Sequence, residues 1–176
     1  MLESLDNIAI RTARLEDAEV VAKLHGLEKA TPLSVFIELF RSEFSNCANH
    51  PEEKTYFLAF SGHDLVGYAG ARFYRQLSDE NMYGTTDLLP DGWYLRGIKT
   101  HPDWRRRGLA KVMTLKRLEW LSLRADHSFV FLDDENKVTL PMYFELGFEE
   151  VSRGWTFSDP ARKVKNTLGI LLRKKL

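Results

Sequence analysis

Trp93-Tyr94-Leu95-Arg96-Gly97-Ile98-Lys99-Thr100-His101-Pro102-Asp103-Trp104-Arg105-Arg106-Arg107-Gly108-Leu109-Ala110 is the stretch on which the reading of this chain turns. Trp93 to Thr100 reads as a strand, and His101-Pro102-Asp103 ends it because proline has no N–H to give to a ladder. Three arginines follow, then Gly108-Leu109-Ala110, and a long helix is expected from Arg107 to Ala125, rich in Leu, Lys, Arg and Met. Backbone N–H groups at a helix start lack intrahelical partners and together carry roughly half a positive charge, so such a turn attracts an anion. Gly108 and Ala110 keep Cβ bulk away from an approaching anion, and the arginines add attraction and bidentate contacts. Two other readings stay open on these residues alone. A run of arginines is also a solvated surface, and Gly-x-Ala at a helix start also serves close helix–sheet packing. Neither GxxxxGK[ST] nor GxGxxG follows a strand here.

Outward from that stretch the chain alternates between the two periodicities. Ile8 to Thr12 reads as a strand, Glu16 and Asp17 suit the positive end of a helix over Ala18 to Leu27, and Pro32 opens a second helix carrying Phe36, Leu39, Phe40 and Phe44 at helical spacing. Asn46 to Pro51 reads as a loop. Tyr56–Phe60 and Leu65–Tyr74 are strand-like, with Gly62-His63-Asp64 as a hairpin break, and Arg75 to Gly92 is a long polar connection of the kind that works at a site. Beyond the long helix, Phe129 to Leu132 reads as a buried strand and Val138 to Leu146 as a helix with Pro141 in its first turn and Gly147 as its C-cap. Phe148–Phe157 and Leu168–Leu172 are expected as strands, with Arg173-Lys174-Lys175 as a solubilising tail. This order predicts an α/β domain with a mixed central sheet flanked by helices.

Composition narrows the function classes. The chain has 176 residues, 44% hydrophobic and 28% charged, with Lys+Arg 25 against Asp+Glu 25, so disorder is excluded and a nucleic-acid-coating role is disfavoured. No apolar run reaches the roughly 18–20 residues of a membrane span. MLESLDNIAI lacks the features of a secretory leader, so a cytoplasmic protein is expected. Cys47 is the single cysteine, and with His50 three residues on it reads as a stray thiol rather than a nucleophile. His25, His63, His101 and His127 have no ligand spacing, so no metal is expected.

Arg105-Arg106-Arg107-Gly108-Leu109-Ala110 resembles the (Arg/Gln)-x-x-Gly-x-(Gly/Ala) signature of the GNAT N-acetyltransferases, and Thr100-His101-Pro102 resembles their Val-x-Pro strand end. Asn136, Tyr143 seven residues on, and Gly147-Phe148 are similar to the family's Asn…Tyr-x-x-x-Gly-Phe helix. The resemblance implies a single GNAT domain over residues 1–176 and acetyl-CoA as cosubstrate. It implies that the pyrophosphate lies on Arg105, Arg106, Arg107, Gly108, Leu109 and Ala110, and that the pantetheine arm pairs with Ile98, Lys99 and Thr100. It further implies an oxyanion donor near Ile98, a pantetheine or adenylate contact from Asn136, and Tyr143 as the acid that protonates the leaving thiolate. The residues leave a second role for each of the last two. Asn136 also suits a helix N-terminus, and Tyr143 also suits packing beside Phe144 and Phe148.

An attacking alkyl amine has a pKa of roughly 10 and must lose a proton. No carboxylate lies between Trp93 and Thr100, where some members carry a Glu. Asp79, Glu80, Asp87 and Asp91 in the long connection are candidates for the base, as is ordered water. With Tyr83 and Trp93 these acids also suit a cationic acceptor, for which Asp87 and Asp91 are candidate contacts. Glu28 and Phe36 lie where the family walls its acceptor site. The expected reaction is acetyl transfer to a primary amine of a small molecule. The alternatives are an aminoglycoside-type or protein N-terminal acetyltransferase, and a non-catalytic acyl-CoA-binding module. An exposed edge strand near the C-terminus offers a surface for a homodimer.

Overall fold

The computed structural model describes residues 5–75, 89–159 and 164–176. Strand β1 (Ile8–Thr12) leads into helices α1 (Ala18–Gly26) and α2 (Leu33–Asn49). Strands β2 (Lys54–Ser61), β3 (Asp64–Tyr74) and β4 (Gly92–Thr100) come next, then α3 (Leu109–Ser122), β5 (His127–Asp133), α4 (Leu140–Glu145), β6 (Glu149–Asp159) and β7 (Val164–Lys175). The strands form a seven-stranded mixed sheet in the order β1-β2-β3-β4-β5-β7-β6. The β4–β5 ladder is parallel, whereas β1–β2, β2–β3, β5–β7 and β7–β6 are antiparallel.

By contact density the chain forms two units, residues 1–72 with 96–117 and residues 73–95 with 118–176. In the first unit, alternation along β2 and β3, shifted by one residue at the β-bulge opposite Ala59 and Phe60, assigns side chains to two faces. Leu58 and Tyr68 join Val21, Leu24, Phe36, Phe40 and Phe44 beneath α1 and α2. Ala59, Val66 and Ala69 join Trp104, Leu109 and Met113 beneath α3. Asp17 anchors the start of α1: it accepts from both Arg11 guanidinium nitrogens (2.6 and 2.7 Å) and from the Arg14 N–H (2.7 Å), which holds its carboxyl below the usual range. Truncating a ring as buried as Phe40 costs about 3–5 kcal/mol in such a core.

In the second unit, Tyr94 stacks on Phe129 (5.2 Å between centroids), meets Tyr74 edge-on and donates its hydroxyl proton to the Pro90 carbonyl (2.8 Å). Trp93 sits between Phe73 and Trp120 and is 4% exposed. It belongs to the core, not to an acceptor-binding surface as its place beside the acidic connection suggests.

Of the boundaries that differ from the sequence expectation, four have a local reason. α2 runs through Asn46 to Asn49, carried by the buried Phe36–Phe40–Phe44 stripe, and stops only before Pro51, where His50 leaves the helical region (φ −132°, ψ 59°). α3 opens at Leu109 instead of Arg107 because Arg106 (φ 61°) and Gly108 (φ 86°) are left-handed. It closes at Ser122, where Arg124 donates back to the Leu121 carbonyl (2.8 Å) and tightens the turn. Arg173, Lys174 and Lys175 are not a tail. They pair with Phe129, Ser128 and His127 as the end of β7. Among the described residues no helix is long and apolar enough to cross a membrane.

Candidate functional site

The turn between β4 and α3 is shaped by its backbone. The His101 N–H, just past β4, donates to the Val66 carbonyl of β3 (2.8 Å), and Pro102–Trp104 forms a single 3-10 turn. Arg105 is extended (φ −68°, ψ 152°), whereas Arg106 and Gly108 are left-handed. An added Cβ at Gly108 would meet only Leu5 Cδ1, at an ordinary contact distance of 3.5 Å, so the position demands glycine for its φ rather than for room. The first N–H groups of α3 (Leu109, Ala110) follow directly, and intrahelical pairing is reached only at Val112, which donates to the Gly108 carbonyl (3.1 Å). These features fit a diphosphate on the main chain.

The arginine side chains do something other than what their spacing suggests. Arg105 is bidentate to Glu28, through Oε1 at 3.1 Å and through Oε2, which holds the Glu28 carboxyl low and the guanidinium high. Glu28, expected in an acceptor wall, is therefore the counter-ion of the turn. Arg107 lies over the Trp104 ring, 4.9 Å from its centroid, and Arg106 is exposed.

Strand β4 carries the second feature. Gly97 has φ 33° and interrupts the regular pleat between Arg96 and Ile98. Ile98 packs on the Trp104–Leu109–Met113 cluster. Lys99 sends its ammonium to the carbonyls of His25 (2.9 Å) and Leu27 (3.0 Å), capping the end of α1, and burial lowers its pKa. Beneath the Gly97 irregularity, the fully buried Arg117 of α3 donates to the carbonyls of Gly70 (3.1 Å) and Arg96 (3.3 Å) and to Thr114 Oγ1 (2.8 Å). Sequence reading passes over Arg117. The signal is nonetheless present, because Leu109, Met113, Arg117 and Leu121 recur every four residues and are all at most 1% exposed.

Among the described residues the β4–β5 ladder comprises Trp93↔Ser128 and Tyr94↔Phe129. In the second unit Asn136 accepts the Thr139 N–H on its Oδ1 (3.0 Å) and the Leu140 N–H on its carbonyl (3.1 Å), so it organises the start of α4. Tyr143 is buried edge-on to Phe148 (5.2 Å), whereas Phe144, expected beside it, is exposed. Asp91 is exposed at the foot of β4, and Asp79, Glu80, Tyr83 and Asp87 lie outside the described residues. Phe36 is buried in the first unit against His25. Cys47 stands on α2, and burial pushes its thiol up to about 11, which leaves it protonated at neutral pH. Among the described residues no group of three or more His, Cys, Asp or Glu side chains is placed to hold a metal ion.

The model of the acetyltransferase (GNAT) family matches residues 21–148, and the chain belongs to that family. It is an acetyl-CoA-dependent acyltransferase. Its fold is similar to that of a ribosomal-protein-S5-alanine acetyltransferase from Vibrio fischeri (TM-score 0.72, 11% identity, 96% of this chain and 93% of that one). It is also similar to an acetyltransferase from Salmonella typhimurium solved with acetyl-CoA (0.68, 13%, 97% and 94%). A third likeness is to the ribosomal-protein-S18-alanine N-acetyltransferase from Escherichia coli (0.66, 15%, 96% and 93%). No curated protein sequence matches significantly.

Proposed function

We propose that the chain transfers an acetyl group from acetyl-CoA to a primary amine of a small molecule by direct attack. The observation that carries this reading is the left-handed pair Arg106 and Gly108 immediately ahead of α3, with only Leu5 Cδ1 near a Cβ built on Gly108. In this reading the N–H groups of Arg105 to Ala110 hold the diphosphate, and the backbone of Ile98, Lys99 and Thr100 pairs with the pantetheine amides. Arg105 reaches the diphosphate only by leaving Glu28.

When bound, the thioester supplies an acetyl group activated by a thiolate leaving group. The N–H near Ile98 faces the carbonyl oxygen on which negative charge develops. The nitrogen–carbon bond forms as the carbon–sulfur bond breaks. The phenol of Tyr143 gives its proton to the departing sulfur, the amine nitrogen releases one to water, and the phenol is reprotonated from water. Asn136 has its Oδ1 committed to Thr139, so its amide nitrogen is the donor for the cosubstrate. Asp87 and Asp91 attract the cationic acceptor.

Thiol release from acetyl-CoA over a panel of alkyl amines, polyamines, aminoglycosides and alanine-ended peptides tests the reaction and its acceptor class. Turnover of small amines without peptides supports the proposal. Turnover of peptides alone moves the acceptor to protein N-termini, and binding of acetyl-CoA without turnover makes the chain a binding module. In an active preparation Tyr143→Phe keeps the ring packing and lowers kcat about 100-fold, the usual weight of a positioned acid. Asp87→Asn with Asp91→Asn raises the acceptor KM and leaves that of acetyl-CoA in place.

A further inference from the structure

The corner between α1 and α2 holds an ammonium against a neutral imidazole. His25 Nε2 is 2.6 Å from Lys29 Nζ, and His25 Nδ1 is hydrogen-bonded to the Tyr68 hydroxyl. An ammonium has only donors, so Nε2 accepts, the ring proton resides on Nδ1, and the Tyr68 oxygen receives it. The same Lys29 nitrogen lies 5.2 Å from the centroid of the Phe36 ring. Phe36, Phe40 and Tyr68 surround the imidazole with centroids at 4.8, 5.2 and 6.0 Å, which leaves the ring one orientation. Burial, with Lys29 and Lys99 nearby, lowers the His25 pKa to about 4, so the ring is neutral at physiological pH.

We propose that His25 Nε2 and the face of Phe36 form the seat of the acceptor's primary amine, and that Lys29 of the chain itself occupies this seat until the acceptor displaces it. The inference rests on the proposed acetyl transfer to an amine and specifies where that amine is held. Lys29 follows the end of α1, in residues 27–32 that have neither helix nor strand, so it can leave without unfolding an element. The seat hangs on β4, since Lys99, the neighbour of Ile98, binds the carbonyls of His25 and Leu27.

Its electrostatics also suit the chemistry. A carboxylate seat would hold the ammonium charged, whereas a neutral imidazole with the Lys99 ammonium nearby favours the uncharged amine, which is the nucleophile. The amine keeps an N–H on Nε2 while its surplus proton goes to water, so β4 needs no carboxylate. Glu28, the nearest acid in sequence, is held by Arg105.

The test is titration of the full chain with n-butylamine hydrochloride at neutral pH, read at the ¹⁵N resonances of the His25 ring, without cosubstrate. Lys29→Gln opens the seat, and the amine shifts Nε2 to saturation with an affinity about tenfold above that of the unsubstituted chain, the weight of one displaced charged hydrogen bond. Tetramethylammonium, which lacks an N–H, leaves Nε2 in place. His25→Phe, which retains the ring packing, loses n-butylamine binding as read at the Tyr68 resonances. An unmoved Nε2 in Lys29→Gln, or equal binding by His25→Phe, overturns the seat. Because this readout needs no turnover, amine binding without thiol release would overturn the transfer reaction alone. Thiol release with a silent His25 would overturn the seat alone.

Discussion

The turn at residues 105–108 and the corner at residues 25–32 lie in the same unit and are joined by one ion pair, yet they are built by opposite means. In the turn, the proposed binding group is the main chain. Two left-handed residues, Arg106 and Gly108, shape it, while two of the three arginine side chains are engaged elsewhere, by Glu28 and by Trp104. In the corner, the main chain is tied down by Lys99 and the side chains do the work, with His25, Phe36 and Tyr68 arriving from α1, α2 and β3. A backbone site tolerates change in its side chains and fails when its dihedrals fail. A side-chain site behaves the other way round.

Arg117→Met probes the frame beneath the first kind of site. It strips a buried donor from the carbonyls of Gly70 and Arg96, at a cost of about 2–4 kcal/mol by chemical denaturation. A loss well below that range would mean those carbonyls find other donors.

Glu28→Gln and Arg105→Ala sharpen the contrast. The Glu28–Arg105 pair is exposed, so solvent screens it and it is easily given up. Freeing Arg105 should therefore tighten coenzyme A by about two- to fivefold, and removing it should weaken binding by less than about tenfold. A loss as large as that of a backbone substitution in the turn would place the binding energy in side chains and erase the distinction. Calorimetry with coenzyme A reads both.

The smallest effect belongs to the corner and to pH. The folded pKa of His25, about 4, lies below its ordinary value of 6.5, so the unfolded chain binds more protons between those limits. The resulting stabilisation is present above pH 6.5 and is lost as the pH falls toward 4. In His25→Phe that part of the stability profile should flatten, as denaturation midpoints between pH 7 and pH 4.5 would record.

These two kinds of construction also decide what sequence can reveal. Arg105 to Ala110 is contiguous, and its demand for glycine is written as Gly108 at a fixed distance from Pro102, so the turn is legible in the order of residues alone. The strands and helices are legible for the same reason, since periodicity is local. The seat around His25 joins residues at 25, 36 and 68, and no spacing links them until α2 folds over β3. Arg117 is hidden differently. In Lys116-Arg117 both residues look solvated, and only the four-residue recurrence from Leu109 to Leu121 sets one inside. Glu28 and Arg105 are 77 positions apart, so their pairing has no sequence signature.

The central claim is that the main chain around Gly108 grips the diphosphate of the acyl donor. Isothermal titration of coenzyme A into the unsubstituted chain and into Gly108→Val tests it, with thermal denaturation verifying that the variant folds. Submillimolar binding by the former and a loss of about 100-fold or more in the latter is expected, the weight of two charge-assisted hydrogen bonds. Equal affinity in both folded proteins, or no heat from either, would contradict it.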